Sequence, residues 1–449
     1  MDPNGSGRTI DRRDFLKVTA AGLALGTGAA AAGAGGTNDL RVALVGAGNQ
    51  GMVLLESCQK IPNVRITALC DIWKEYRQKY VSGRLRIYGH VHTAYVDIQE
   101  MLDKEKGRLD AAIIATPDFW HADHTIACLK AGLHVYCEKE MSNTLEDARR
   151  IVRAARESGK LVQVGHQRRS NPRYRFSYQK LLREASLLGR ITTVNGQWNR
   201  SRQDLVTMPA KYAIPPATLE KYGFRSMEQF LNWRWYRGLG GGPIVDLGSH
   251  QIDIFNWFLG ARPRSVMASG GTDYYGADTH EWYDTVMAVY EYPTSTGTVR
   301  AFYQTGTTNG FGGYFELFMG DQGSLEISES GARAKVYRDV ANAPDWGSLV
   351  KRGLLAAPKD EPKPQPQTLA VLDVRETAPP PSYAIPVQSQ KLYHQPHLEN
   401  FFDAVRGRAQ LTCPADTGYE TAVTVLKVNE AVELRRPVIF DPGDFEVRT

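Results

Sequence analysis

The chain has 449 residues, 42% of them hydrophobic and 23% charged, which predicts two or three globular domains with cores of their own. The net charge of +5 is small and no long run of like charges occurs, so nothing indicates a nucleic-acid partner. The five cysteines lack CxxC spacing and the ten histidines include no HExxH motif, so we predict neither a disulfide framework nor a metal site.

The N-terminal segment has the pattern of a targeting sequence. Residues 11–17 (DRRDFLK) resemble a twin-arginine export signal, and Ala30-Ala31-Ala32 follows with small residues suited to cleavage. The Ala/Gly stretch between them is too short and too rich in glycine for a membrane span, and no cysteine lies nearby to carry a lipid. We therefore predict a signal peptide over residues 1–37, export to the periplasm or beyond, and no membrane anchor. A disordered Ala/Gly tail is the alternative.

Residues 40–71 predict the start of a dinucleotide-binding fold. A strand-like run over residues 40–45 is followed by the turn Gly46-Ala47-Gly48-Asn49-Gln50-Gly51, a helix, and a second strand that ends at Asp71. In such a turn the first glycine allows the bend, the second lets backbone amides approach a pyrophosphate, and the third lets helix and strand pack closely. The pyrophosphate then lies at the helix N-terminus.

Asp71 indicates which dinucleotide binds. It lies about 20 residues after the last glycine, where an acidic residue binds the ribose hydroxyls and repels a 2′-phosphate. We therefore predict NAD rather than NADP. A tight turn in some other α/β domain is the alternative reading of the glycines.

The pattern of strands alternating with helices continues to residue 165 and predicts a parallel, doubly wound sheet. Strands are expected near 110–115, 133–137 and 161–165, with helices near 121–131 and 144–158. Ligands of such sheets bind at the carboxyl ends of the strands. The residues expected to line the cofactor there are Thr116, Pro117, Trp120, His121, Glu138 and Lys139. Taken alone, Glu138-Lys139 is equally an exposed ion pair, and His121 a polar group at a helix start.

Residues 166–449 predict a second domain of α+β type, in which runs of alternating residues form an open antiparallel sheet. The proline-rich residues 355–390 are expected to be an extended surface arm or linker. Helices are expected near 397–405 and 416–433. An open sheet with an uncovered apolar face predicts a homodimer or homotetramer built on that sheet.

The segment Gly240-Gly241-Gly242-Pro243-Ile244-Val245-Asp246-Leu247-Gly248-Ser249-His250 is the second informative motif. Pro243 suits a first helical turn. Helical periodicity places Asp246, His250, Asp253 and Trp257 on one face of the helix. A solvent-exposed face of an amphipathic helix is the simplest explanation, but a glycine-rich entrance and a tryptophan on the polar stripe favour a ligand site.

Together, these motifs resemble the Gfo/Idh/MocA family, which includes glucose–fructose oxidoreductase and inositol dehydrogenase. The similarity rests on GAGNQG, ATPDFWH, the strand-end Glu-Lys, GHQRR at 165–169 and GGGPIVDLGSH. It implies a Rossmann domain, an open antiparallel sheet domain, and NAD(P)-dependent oxidation or reduction of a sugar or cyclitol hydroxyl. The family's EKP lysine corresponds to Lys139, and the aspartate and histidine of DxGxH to Asp246 and His250. Glu140 replaces the proline of EKP, which puts the local backbone geometry in question.

The resemblance implies that His250 accepts the hydroxyl proton, that Lys139 hydrogen-bonds the same oxygen, and that Asp246 orients the substrate or holds the imidazole. An imidazole with a pKa near neutrality would suit the first role. Substrate-binding residues are predicted at His166, Arg168, Arg169, Trp198 and Trp235. The same segments carry Arg173, Arg202, Trp233, Arg234 and Arg237.

The sequence leaves three functions open. The first is an exported NAD-dependent oxidoreductase acting on a sugar or glycoside hydroxyl. The second is an NAD-dependent enzyme that cleaves glycosides through transient ring oxidation and elimination. The third is a sugar-binding protein without catalysis, which only Glu140 suggests and which the joint presence of Lys139, Asp246 and His250 argues against.

Overall fold

The computed structural model describes residues 39–357 and 380–448. The predicted export segment and most of the proline-rich stretch lie outside the described residues. Within the described ranges the chain forms two sheets, one parallel and one mixed.

A six-stranded sheet follows directly from the first half of the chain, and all its strand pairs are parallel. Its strands are β1 (Leu40–Val45), β2 (Val64–Cys70), β3 (Thr93–Tyr95), β4 (Ala111–Ile114), β5 (His134–Cys137) and β6 (Val162–Val164). The helices are α1 (Asn49–Cys58), α2 (Lys79–Ile87), α3 (Ile98–Lys104), α4 (His121–Lys130) and α5 (Leu145–Ser158). The strand order β3-β2-β1-β4-β5-β6 is that of a dinucleotide-binding Rossmann fold, so this prediction is confirmed.

Local sequence signals explain why these elements form where they do. Residues of β1 and β4 such as Leu44 and Ile113 have no exposed surface, as expected for strands covered by helices on both faces. At the start of α5, the Thr144 hydroxyl accepts a hydrogen bond from the N–H of Asp147, and Gly159 ends the helix with a φ of 64°. The strand order reverses between β1 and β4, which opens a crevice at their carboxyl ends.

The second sheet has nine strands in the order β14-β13-β12-β11-β7-β10-β9-β8-β15. They are β7 (Ile191–Asn199), β8 (Ser265–Gly271), β9 (Thr285–Thr294), β10 (Gly297–Gly306), β11 (Tyr314–Gly320), β12 (Gly323–Ile327), β13 (Lys335–Arg338), β14 (Ser382–Ala384) and β15 (Val438–Ile439). The predicted antiparallel sheet is confirmed, with one exception at its centre, where β7 and β10 pair in parallel. The chain between them crosses over the sheet through a long helical excursion and two further strands, so the two strands enter from the same end.

The helices of this second part are α6 (Pro172–Phe176), α7 (Pro216–Lys221), α8 (Met227–Leu231), α9 (Ser249–Leu259), α10 (Gly347–Lys351), α11 (Gln395–Val405) and α12 (Ala415–Leu434). Helix α9 covers the inner face of the sheet. A Cβ on Gly196 of β7 would lie 2.7 Å from the Phe255 ring, so only glycine allows this helix to approach so closely. The Phe255 ring also meets Phe318 of β11 edge-on, at 6.2 Å between centroids.

The C-terminal segment returns to the parallel sheet. Phe401 and Phe402 of α11 are fully buried in the core that contains Leu44 and Tyr136, and the Phe401 ring lies 5.9 Å from the Tyr136 ring. The described ends of the proline-rich stretch also differ from the predicted linker, because β14 pairs with β13 at the sheet edge. Helix α11 therefore belongs to the core of the dinucleotide-binding fold although it lies far along the chain.

Candidate active site

The glycine-rich turn between β1 and α1 leaves space for a ligand close to the backbone. Gly46 has a φ of +94°, and a Cβ there would lie 2.5 Å from the Ala115 carbonyl oxygen. A Cβ on Gly51 would lie 2.0 Å from the Gly46 carbonyl oxygen. Gly48 precedes α1, and no side chain caps the first N–H groups of this helix. Because those donors lack a side-chain acceptor, the turn fits a pyrophosphate.

Asp71, at the end of β2, braces the same turn. Its carboxylate accepts hydrogen bonds from the N–H of Ala47 and from that of Trp73, both at 2.7 Å. The Arg77 guanidinium lies beside Gly48 and over the rings of Trp73 and Phe230, at 5.2 and 4.9 Å. A carboxylate offers about four lone-pair sites, so Asp71 retains acceptors for a ribose hydroxyl. The residues present therefore fit an NAD molecule, with Asn49 and Gln50 at the start of α1 beside it.

The loop after β4 lies directly beside the glycine-rich turn and carries Thr116, Pro117, Trp120 and His121. The two ring nitrogens of buried His121 lie 2.8 Å from the carbonyl oxygens of Thr116 and Glu140. Burial lowers the pKa of His121 to about 4, so the neutral ring donates to one of these oxygens at a time. His121 thus joins the loops after β4 and β5. The Trp120 ring stacks on His124 at 5.0 Å and its N–H donates to the Tyr222 carbonyl oxygen.

Lys139 extends from the end of β5 to the second part of the chain. Its Nζ donates to the carbonyl oxygen of Asp246 at 2.5 Å and lies 3.8 Å from Asp246 Oδ1. Glu138 is buried, and its carboxylate accepts from the Tyr136 hydroxyl and from the Lys139 N–H. The Lys139–Glu140 peptide bond is cis. With glutamate in the place of the motif proline, the lysine still contacts the motif aspartate.

Glu140 forms a buried polar pair with His166. Glu140 Oε1 accepts from the Met141 N–H at 2.9 Å, whereas Oε2 has no partner among the described residues and lies 4.0 Å from His166 Nε2. Neither ring nitrogen of His166 has a partner in the described ranges. Burial raises the pKa of Glu140 to about 8 and lowers that of His166 to about 4, so both groups are largely uncharged at neutral pH.

Asp246 is shared by three cations. Arg234 Nε donates to its Oδ1 at 3.1 Å, Arg200 Nη1 lies 3.5 Å from its Oδ2, and Lys139 is the third. Although burial opposes ionisation, these positive charges hold the pKa of Asp246 well below its usual range. Asp246 is therefore an anion that organises the lysine and the arginines. No hydrogen bond joins it to His250 within the described residues.

His250, one turn further along, is 6% exposed and lies 5.3 Å from the Trp198 ring. Its Nδ1 has no partner in the part of the chain that the structure describes. Burial lowers the pKa of His250 well below its ordinary value, and the positive charges of Lys139 and Arg168 lower it further. The expectation of a pKa near neutrality is therefore wrong. The ring is neutral at physiological pH, and its lowered pKa makes it a weaker proton acceptor than an exposed imidazole.

The predicted polar stripe of α9 is buried rather than solvated. Asp253 is 1% exposed and forms an ion pair with Arg169 at 2.8 Å, and the Thr421 hydroxyl donates to the same carboxylate. The Arg169 guanidinium also lies 5.5 Å from the Trp257 ring. This half of the stripe holds the helix against its neighbours, while Asp246 and His250 remain at the crevice.

The other predicted substrate residues have different surroundings. Arg168 is fully buried, where it pairs with Glu316 and with Glu329 and lies over the Trp198 ring. Trp198 thus lies between Arg168 and His250. Trp235 lies apart, against His280 at 4.4 Å and Tyr275 at 6.0 Å. A direct substrate contact by these residues stays a prediction.

Two residues at the site were not singled out from the sequence. Arg200, just after β7, contacts Asp246 and lies 5.2 Å from the Trp198 ring. His394, just before α11, has its Nε2 3.0 Å from Gln50 Nε2 in the glycine-rich turn. The alternating pattern of β7 indicates where that strand ends, but neither contact has a sequence signal because each joins residues far apart in the chain.

Other features of the described ranges bear on the site's chemistry. No group of three or more His, Cys, Asp or Glu side chains there could hold a metal ion. All five cysteines are buried and unpaired, and burial raises the pKa of Cys58 and Cys128 to about 12. No helix within residues 39–357 or 380–448 combines the length and the apolar composition that a membrane span requires.

The fold and the site define a protein with two domains. One is an NAD-binding Rossmann domain, and the other is a nine-stranded sheet covered by helix α9, which carries His250. Residues 40–166 match the model described as "Oxidoreductase family, NAD-binding Rossmann fold", and residues 178–326 match the "GFO/IDH/MocA C-terminal domain". These two matches together cover more than half of the chain. The chain belongs to the Gfo/Idh/MocA family of oxidoreductases.

Curated relatives match the chain in sequence, and solved structures share its fold. The chain is 28% identical over 242 residues to the rhizopine catabolism protein MocA of Rhizobium meliloti, a match covering 53% of this chain and 63% of the relative. It is 31% identical over 220 residues to scyllo-inositol 2-dehydrogenase (NADP+) of Bacillus subtilis, covering 48% and 53%. The matches thus span less than two thirds of either relative. Aldose-aldose oxidoreductase of Caulobacter crescentus shares the fold, with a TM-score of 0.64, 18% identity, and 90% and 100% of the two chains covered.

Proposed function

We propose that this protein is an NAD-dependent oxidoreductase that transfers a hydride between a hydroxyl-bearing carbon of a sugar or glycoside and a tightly bound nicotinamide. The observation that carries the proposal is the junction of the two domains, where Lys139 contacts Asp246 one helical turn before His250. Relatives named as inositol and sugar dehydrogenases support a polyol substrate.

Each of the three residues has a distinct role in this proposal. NAD, when bound, supplies the hydride acceptor. Neutral His250 accepts the proton of the reacting hydroxyl. The Lys139 ammonium donates a hydrogen bond to that oxygen and stabilises negative charge that develops on it. Asp246 keeps Lys139 in place through its carbonyl oxygen and keeps the nearby arginines oriented through its carboxylate.

Steady-state assays with a panel of neutral sugars, sugar acids, cyclitols and glycosides test this proposal. NADH is followed by its absorbance, and products are followed by mass spectrometry. We expect a keto product and one NADH for each turnover. A free sugar released from a glycoside with no net NADH would instead support the glycoside-cleaving alternative. Binding of sugars without any chemistry on the panel would contradict an enzymatic role.

We further propose that the protein is exported through the twin-arginine pathway. The support is residues 11–17, and the pathway carries folded proteins, which suits an enzyme that binds its cofactor before export. Cell fractionation of the wild type and of an Arg12→Lys/Arg13→Lys variant tests it. Wild-type protein is expected outside the cytoplasm with NAD(H) bound, and an unchanged distribution in the variant would rule the route out.

We also propose a homodimer or homotetramer built on the outer face of the nine-stranded sheet. Met267 of β8 is 53% exposed and Met287 of β9 is 46% exposed, and both lie on the face opposite α9. Phe302 of β10 and Leu317 of β11 are half-buried and flank Asn195 of β7 between them. An apolar sheet face of this kind is unfavourable in water unless another surface covers it.

A further inference from the structure

We infer that the substrate of the proposed reaction is a sugar that carries a carboxylate, held by Arg200 and Arg234 at the mouth of the site. The inference rests on the proposed function and names the class of its substrate. Three cations, Lys139, Arg200 and Arg234, share the single carboxylate of Asp246. Positive charge is therefore in excess on the side of the crevice next to His250.

Both arginines have hydrogen-bond donors to spare. A guanidinium carries five N–H donors, and the only side-chain hydrogen bond of Arg234 to a described residue is made by Nε to Asp246. Arg200 approaches Asp246 only at 3.5 Å and makes no side-chain hydrogen bond within the described ranges. The two side chains are 35% and 47% exposed, so an anion from solution can reach them.

The arginines are held in place by aromatic rings rather than by further carboxylates. The Arg234 guanidinium lies 4.3 Å from the Trp233 ring, and that of Arg200 lies 5.2 Å from the Trp198 ring. The same Trp198 ring lies 5.3 Å from His250. The Trp198 indole therefore contacts both His250, the proposed base, and Arg200, whose side-chain N–H donors lack hydrogen-bond partners among the described residues. Because both groups contact the same ring, a sugar whose hydroxyl reaches His250 lies beside Arg200.

Two other carboxyl groups lie nearby, and they offset only part of the positive charge of Lys139, Arg200 and Arg234. Asp118 is buried, and burial raises its pKa to about 7, so much of it is protonated at neutral pH. Glu138 is buried and hydrogen-bonded to Tyr136 and to the Lys139 N–H. Planar guanidinium groups bind carboxylates through paired N–H donors, which gives both affinity and orientation.

Calorimetric binding to the NAD-loaded protein tests the inference with matched ligands: D-glucose against D-glucuronate, D-galactose against D-galacturonate, and D-glucose 6-phosphate as a different anion. At least one sugar acid should bind at least tenfold more tightly than its neutral partner. The Arg200→Gln variant should lower that acid's affinity by about 10- to 100-fold, the range for a hydrogen bond to a charged group, and change neutral-sugar binding little. Arg202→Gln is the control, because Arg202 is 62% exposed and pairs with Asp204.

The binding results test the sugar-acid substrate, and the reduction of NAD tests the proposed function. Equal affinity of every acid and its neutral partner, or equal loss of both in Arg200→Gln, would overturn the inference. Tighter binding of the phosphate than of any carboxylate would overturn it as well. Failure of any bound sugar to reduce NAD would contradict the proposed function alone, because calorimetry measures binding without chemistry.

Discussion

At the scale of single residues, the proposed mechanism combines a neutral imidazole as base with a lysine held by a carboxylate. His250 has its pKa lowered by burial and by Lys139, and Lys139 is held by Asp246. His250→Ala and Lys139→Ala should each reduce kcat by about 10²- to 10⁴-fold, the range for general acid–base groups. NAD affinity should change little in either variant. Wild-type turnover in either one, on an established substrate, would show that the assigned role is wrong.

Glu140 gives a prediction about pH and stability. Its pKa is raised to about 8 in the folded protein from an ordinary value of 4.5, so the folded state holds a proton that the unfolded state releases between these values. The stability contributed by neutral Glu140 is complete below about pH 4.5 and is lost as the pH rises towards 8. Glu140→Gln does not titrate, so its Tm relative to wild type should rise between pH 5 and pH 8.

The control for this measurement is Glu157→Gln, which alters an exposed carboxylate in α5. Its Tm difference from wild type should stay constant across the same pH range. If the Glu140→Gln difference in Tm is equally constant, Glu140 is ionised in the folded protein. Neighbouring groups would then offset the free-energy cost of burying its charge.

Asp71 connects the cofactor prediction to the geometry of the turn. Because its carboxylate accepts from the N–H of Ala47, Asp71→Ala removes both the expected ribose acceptor and a brace of the glycine-rich turn. We expect the Kd for NAD to rise at least tenfold, from the loss of one or more charge-assisted hydrogen bonds. Fluorescence titration with NAD and NADP measures it, and an unchanged NAD affinity would show that the ribose lies elsewhere.

At the scale of elements, the sequence predicts best where the signal is local. The glycine-rich turn, the Thr144 cap of α5 and the five predicted strands of the parallel sheet each depend on neighbouring residues, and all are found. Strands β3 and β15, with three and two residues, are too short to show alternation. The parallel pairing of β7 with β10 depends on the path of the chain between them, which local patterns do not encode.

The same division applies to the candidate site. The motifs place Lys139 at the carboxyl edge of the parallel sheet, where ligands bind, and the family resemblance assigns His250 to the same site. The contact of Arg200 with Asp246 and that of His394 with Gln50 arise only from tertiary packing. The lowered pKa of His250 likewise depends on burial and on charges from other elements. The sequence alone therefore predicted a pKa near neutrality, which is too high.

Helix α11 should stabilise the dinucleotide-binding fold although it lies far from it in sequence. Phe401 is fully buried in the core with Leu44 and Tyr136. Phe401→Ala should therefore reduce the free energy of unfolding by about 3–5 kcal/mol. Leu434→Ala, at a side chain 44% exposed at the end of α12, is the control and should change it much less. Equal effects of the two substitutions in chemical denaturation would contradict this packing role.

At the scale of the whole molecule, the outer sheet face gives a test of assembly. If Met287 lies in a subunit interface, Met287→Arg should place a charge in it and lower the mass measured by light scattering at micromolar concentration. Val91→Arg, at a side chain 91% exposed in the loop before β3, should leave that mass unchanged. A wild-type protein that is already monomeric would contradict the proposed assembly.

The central claim is that Lys139, Asp246 and His250 carry out hydride transfer between a sugar hydroxyl and bound NAD. Single-turnover analysis of the NAD-loaded protein with its best substrate tests it most directly, by measuring NADH and oxidised product in the same sample. We predict equal amounts of NADH and keto sugar for the wild type, and neither on the same time scale for His250→Ala. Keto sugar and NADH formed at wild-type rates by that variant, or bound substrate that never reduces NAD in the wild type, would contradict the claim.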